Sequence, residues 1–79
     1  MSDLETRLVR CFTAIFPEES PDQLKNATME NTEKWDSVAG VTLINVVEEE
    51  FGLQIDVEDF TRLVSFSRFA DYLRRSSIS

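Results

Sequence analysis

Apolar residues recur along this chain at helical spacing in separate blocks, and the breaks between the blocks carry helix-stop and helix-start chemistry. Leu4, Leu8, Cys11, Phe12 and Ile15 fall on one stripe. Ser2 followed by Glu5 has the spacing of a capping box, in which each side chain satisfies an orphan amide of the first turn. Pro17 lacks the N–H a helix needs, so the first helix stops near Phe16.

Residues 17–36 hold few large apolar groups and no sustained period. Ser20-Pro21-Asp22 can open one short helical turn, with Ser as cap and Pro at the first position. The rest reads as a long loop pinned to the core by Met29 and Trp35, and loops of that length are often functional.

The pattern then changes. Asp36 can cap a helix running from Ser37 to about Phe51, closed by Gly52 as its left-handed residue. Val41, Ile44, Val47 and Phe51 form a stripe that Leu43 and Val46 widen, which predicts a central helix packed on two sides. Only a narrow strip stays outside: Val38, Thr42, Asn45 and Glu49. Leu53 and Ile55 make an extended link, and Asp56 can cap a short helix holding Val57, Phe60 and Val64. Ser65 can cap a last helix whose stripe is Phe66, Phe69, Ala70 and Leu73. Arg74 and Arg75 lie in its final turn, where cations suit the helix dipole. Residues 76–79 (SSIS) read as a frayed tail.

These elements predict one all-α domain over residues 1–79. It is a small four-helix bundle, three main helices and one short one, with the long loop between the first helix and the one that opens at Ser37. Gly and Pro number only two each, too few for the turns of an all-β domain.

Charge and composition then narrow the function. Eight Lys and Arg against fifteen Asp and Glu give a net charge of -7, the wrong sign for meeting nucleic-acid phosphates and the right one for a partner with a basic surface. No His is present, so the usual acid–base side chain near neutral pH is missing, and a self-contained enzyme is not expected. The single Cys cannot form an internal disulfide and fits a reducing cytoplasm; no Cys/His cluster suggests zinc. There is no apolar run of signal-peptide or membrane-spanning length.

The stretch WDSVAGVTLINVVEEEFGLQI resembles the second-helix region of acyl and peptidyl carrier proteins, with their Asp-Ser-Leu hallmark and an acidic helix ending in a run such as EEEF. Asp36-Ser37-Val38 stands at the hallmark, and Glu48-Glu49-Glu50-Phe51 at the expected distance beyond it. Length, acidity, helix order and the closing FADYL extend the resemblance over nearly the whole chain. It implies that Ser37 receives 4′-phosphopantetheine from coenzyme A, through a phosphopantetheinyl transferase acting with magnesium. It further implies a cargo held as a thioester, an acyl- or amino-acid-activating ligase or synthetase that loads it, and downstream acyl-transfer enzymes. Asp36 would then serve the transferase as well as the helix, and Val38, Thr42, Asn45 and Glu49 would face partner enzymes. A cytoplasmic monomer meeting its partners transiently is expected.

The sequence departs from the fatty-acid carriers, which show further acidic residues two and five positions after the serine; Ala39 and Thr42 stand there instead. Trp35 is more like certain stand-alone specialist carriers, including those loaded with amino acids. Fatty acyl, polyketide, aminoacyl and peptidyl cargoes all remain open. A rival of another class is an unmodified acidic helical module that docks through the same helix. Simpler readings also stand beside several residues. Asp36 is a sufficient cap by itself, Glu48 to Glu50 are a solvated helix end, Cys11 is a structural thiol and Trp35 a loop anchor. Asp56-Val57-Glu58-Asp59 lacks the alternation and the glycine of a calcium loop.

Overall fold

The computed structural model describes residues 3–76. Helix α1 spans Asp3–Ile15, α2 Pro21–Lys25, α3 Ser37–Phe51 and α4 Phe66–Ser76, with a 3-10 helix at Val57–Arg62 between α3 and α4. No strand is present among the described residues, and the fold is the expected small all-α bundle. Among the described residues no helix is long and apolar enough to cross a membrane.

Helix α1 follows its stripe: Leu8, Cys11 and Phe12 are buried, while Leu4 and Ile15 pack on the margin. The proposed Ser2 cap lies outside the described residues. The short turn after Ser20 forms a full capping box. The Gln23 amide donates to Ser20 Oγ at 3.2 Å, and the Ser20 amide donates to Gln23 Oε1 at 2.8 Å. Leu24 anchors this turn in the core.

The loop beyond α2 is tightly bonded. Thr28 and Asn31 cap one another's amides at 2.8 and 3.0 Å. Thr28 pairs with Ser65 in an isolated antiparallel bridge, where the Met29 amide donates to the Val64 carbonyl and the Phe66 amide to the Ala27 carbonyl. The loop is therefore fastened to the start of α4. Met29 is half-buried and Trp35 buried, as expected.

Three expectations need correction. Helix α1, rather than α3, is the central element, packing against α2, α3 and α4. Leu43, Ile44 and Val47 of α3 are buried, but Val41 is 47% exposed. Hydropathy around the girth of α3 overstated its burial, because short β-branched residues can line an open flank as readily as a core. The segment after α3 is a 3-10 helix that ends at Arg62. Asp56 stands at its N-cap position but makes no side-chain capping bond, and Val57 is 75% exposed. Ile55 and Phe60 supply the inward contacts there. Finally, Ser76 belongs to α4, so the tail begins later than expected, and residues 77–79 lie outside the described part.

Phe12 is the centre of the core. It is fully buried, with Phe66 at 5.0 Å, Trp35 and Phe69 each at 5.5 Å and Phe16 at 6.3 Å between ring centroids. The edge-on and tilted arrangements among these rings are those that aromatic quadrupoles favour. This cluster matters for the site because Trp35 stands two residues before Ser37.

Candidate functional site

The start of α3 is built by three adjacent residues with different tasks. Trp35 sinks into the aromatic cluster and fixes the approach of the chain. Asp36 is extended (φ -104°, ψ -172°), and its Oδ1 accepts the Ala39 amide at 2.8 Å. That is the N-cap bond predicted from the sequence, worth about 1 kcal/mol. The Asp36 carbonyl accepts the Gly40 amide at 2.8 Å and begins the helix. Ser37 follows as the first helical residue and is exposed.

The Ser37 hydroxyl has no partner among the described residues, and the amides of Ser37 and Val38 have no acceptor there. Two unpaired N–H groups at the positive end of a fifteen-residue helix suit an anionic group attached at this point. The next two serines along the chain, Ser65 and Ser67, are engaged. Ser65 Oγ accepts the Arg68 amide at 3.1 Å, capping α4 as predicted, and Ser67 Oγ lies 3.4 Å from it. The Thr42 hydroxyl is also committed, donating to the Val38 carbonyl at 3.0 Å.

Val38, Thr42, Asn45 and Glu49 all lie on the exposed side of α3, Val38 at 76%. Val41 joins them, which the sequence reading missed; its position three residues after Val38 was the available signal. The three glutamates at the end of α3 divide sharply. Glu48 turns back, its Oε2 accepting the Ile55 amide at 2.8 Å. Glu50 is held by Arg7 of α1, whose Nε donates to Glu50 Oε2 at 2.8 Å while its guanidinium lies 4.5 Å above the Phe51 ring. Glu49 points away from both and remains free. Upstream, Lys34 and Glu18 pair, and their mutual hydrogen bond holds the carboxyl below its ordinary range and the amine above it.

Cys11 is remote from this arrangement in role. Burial pushes its thiol up to about 11, Glu50 adds to the rise and Arg7 opposes it. It is an inert core thiol at neutral pH.

The described residues thus form a helical bundle that presents an unengaged serine hydroxyl at the start of α3. The family model for the phosphopantetheine attachment site matches residues 33–73, just over half of the 79-residue chain, and the chain belongs to that family of acyl and peptidyl carrier proteins. Its prosthetic group is covalently attached 4′-phosphopantetheine, and its general role is that of a phosphopantetheine carrier. Neither the comparison with curated proteins nor that with solved structures gave a match. The matched stretch includes α3 from its cap onward, and the residues at the helix start fit the group: an exposed serine hydroxyl and two open amides at the positive end of the helix.

Proposed function

We propose that Ser37 carries the 4′-phosphopantetheine arm and that the protein holds an acyl or aminoacyl group as a thioester for delivery to partner enzymes. The observation that carries this reading is the free Ser37 hydroxyl at the first turn of α3, in a matched stretch whose other serines are engaged. When bound, the arm supplies a terminal thiol that forms the thioester with the cargo.

The chain itself contributes position. Ser37 Oγ attacks the pantetheine-bearing phosphorus of coenzyme A, an O–P bond forms, and the pyrophosphate bond breaks to release adenosine 3′,5′-bisphosphate. The hydroxyl proton passes to a base of the phosphopantetheinyl transferase, since no basic side chain among the described residues pairs with Ser37. Asp36 fixes the helix start and presents its carboxylate to the transferase or its magnesium. The open amides of Ser37 and Val38 then face the new phosphodiester, whose charge the helix dipole favours.

Partner enzymes dock on the exposed side of α3, through Val38, Thr42, Asn45 and Glu49. Glu49 is the residue of the acidic run left to meet a basic patch, because Glu48 and Glu50 are spent within the fold. Ala39 and Thr42, where fatty-acid carriers hold carboxylates, favour a specialist carrier, loaded in trans by an acyl- or amino-acid-activating enzyme, over general fatty-acid service. Such a carrier works as a monomer, passing between partners.

Intact mass after incubation with coenzyme A, magnesium and a broad-specificity phosphopantetheinyl transferase tests the proposal. The parent chain is expected to gain one phosphopantetheine, and Ser37→Ala none. A folded parent chain left unmodified by a panel of transferases, beside a carrier modified in parallel, would overturn it in favour of an unmodified docking module.

A further inference from the structure

Between the end of α1 and the loop that leads to α3 lies a cavity of about 200 Å³. Phe16 and Thr32, 2% and 7% exposed, form its floor, and Ile15 and Pro17 extend its apolar side. That volume suits one branched aliphatic or aromatic group, since a cavity of about 150 Å³ accommodates a benzene ring. It is too small for a long acyl chain.

The polar side of the cavity is nearly all acceptor. The Thr32 hydroxyl gives its proton to Asn31 Oδ1 at 2.9 Å and offers only lone pairs. Glu18 and Lys34 pair at the exposed rim and cancel in charge. Among the described residues that line the cavity, Lys34 is the one cation. Glu19 and Glu33 line it as well, near enough to help raise the Lys34 amine, and their carboxylates have no hydrogen-bond or ion-pair partner among the described residues. The lining therefore carries two uncompensated negative charges beside an apolar floor.

A neutral acyl group would leave those charges unanswered, and a free amino acid would bring a carboxylate against them. An aminoacyl thioester meets both demands, because its carboxyl is consumed in the thioester while its α-ammonium remains to pair with carboxylates. Position agrees. Lys34 precedes Ser37 by three residues, a span of at most about 11 Å between Cα atoms. The rim is thus within the length of an extended pantetheine arm on Ser37.

Resting on the assignment of Ser37 above, we infer that this cavity is a resting site for an aminoacyl cargo, its aliphatic or aromatic side chain on Ile15 and Phe16 and its α-ammonium at Glu19 and Glu33. The cargo class of this carrier is then aminoacyl rather than fatty acyl. Seating is non-covalent and the thioester stays intact until a partner draws the arm out.

The experiment is NMR on the full chain, with leucyl, isocaproyl or octanoyl groups mounted on the arm through a hydrolysis-resistant amide in place of the thioester. Isocaproyl is leucyl without its ammonium. Carbon-labelled leucyl methyls are expected to show nuclear Overhauser contacts with Ile15 and the Phe16 ring. The leucyl form should shift the Glu19, Thr32 and Glu33 amides about threefold more than the isocaproyl form does. In the double variant Glu19→Gln, Glu33→Gln, which breaks no bond among the described residues, that advantage should vanish while leucyl still mounts on Ser37. Leucyl methyls without contacts to Ile15 or Phe16, or isocaproyl and octanoyl forms that shift these amides as much as leucyl does, would overturn the inference and leave Ser37 in place. An undiminished advantage in the double variant would overturn it equally. A parent chain that accepts no arm, seen as no gain in intact mass, removes the Ser37 assignment and this inference with it.

Discussion

The pyrrole edge of the Trp35 indole lies against Gly40, with Nε1 3.4 Å from where a Cβ would stand. That nitrogen is buried and has no hydrogen-bond partner among the described residues. The first turn of α3 therefore rests directly on the aromatic core, and the indole N–H is left unpaired to let it do so. An alanine at Gly40 meets the indole at the near limit of ordinary contact and gains the helix propensity that glycine lacks. Gly40→Ala is expected to stabilise by about 0.5 kcal/mol. Gly40→Val forces branched atoms toward the ring and is expected to cost about 1–3 kcal/mol. Urea denaturation of both variants checks this; an alanine variant weaker than the parent by more than about 1 kcal/mol would contradict the geometry.

Phe12 touches four other aromatic rings and is fully buried. Truncating such a residue to alanine costs about 3–5 kcal/mol. A domain this small has total stability toward the lower end of about 5–15 kcal/mol. Phe12→Ala is therefore expected to lose near-ultraviolet circular dichroism while keeping much of its helical signal. Phe12→Leu should retain a cooperative transition at a cost of about 1 kcal/mol. A cooperative Phe12→Ala variant with parent-like near-ultraviolet signal would mean that Phe12 is not the centre of the core.

The glutamates at the end of α3 should separate in their effect on stability. Glu48→Ala orphans the Ile55 amide and is expected to cost about 1–2 kcal/mol. Glu50→Ala breaks a half-exposed ion pair, with side chains 42% and 36% exposed, and should cost less than about 1 kcal/mol. Glu49→Ala should remain within about 0.5 kcal/mol of the parent. Equal losses at all three positions would show that the run acts as one solvated helix end.

Cys11 makes stability fall at high pH. The unfolded thiol titrates near 9.0 and the folded one near 11, raised chiefly by burial. Below pH 9 both states keep the proton and the contribution is complete. Between about 9 and 11 the unfolded chain releases its proton while the folded chain retains it, so folding weakens by about 2 kcal/mol. Cys11→Ala lacks this term. The difference in urea midpoint between parent and variant should drift against the parent across that window, and a constant difference would refute the burial account.

Much of the site was legible because its signals are local. An Asp three residues before an amide it can reach, a Ser-Pro pair at a helix start and a Gly just past a helix end act through neighbouring backbone, so their meaning survives without tertiary contacts. Asp36, Ser20 and Gly52 all behave as the sequence implies, Gly52 with φ 64°. The strip Val38, Thr42, Asn45 and Glu49 was equally readable, since helical period alone sets which residues share a face. Val41 was not. Its hydropathy suits both a core and an open flank, and only the neighbours of α3 decide between them.

The order of helices, the capped start of α3 and the bare serine that follows it were determined by the sequence, because each rests on periodicity or on bonds spanning three or four residues. Tertiary structure decided which helix is central, which valines reach solvent and which glutamate of three is free. Those choices depend on partners beyond the helical repeat: Arg7, 43 positions away, for Glu50, the Ile55 amide past the end of the helix for Glu48, and the aromatic cluster of α1 and α4 for Trp35. No local pattern records a contact between residues forty positions apart, such as Arg7 with Glu50, and it is through contacts of that kind that one face of α3 stays exposed.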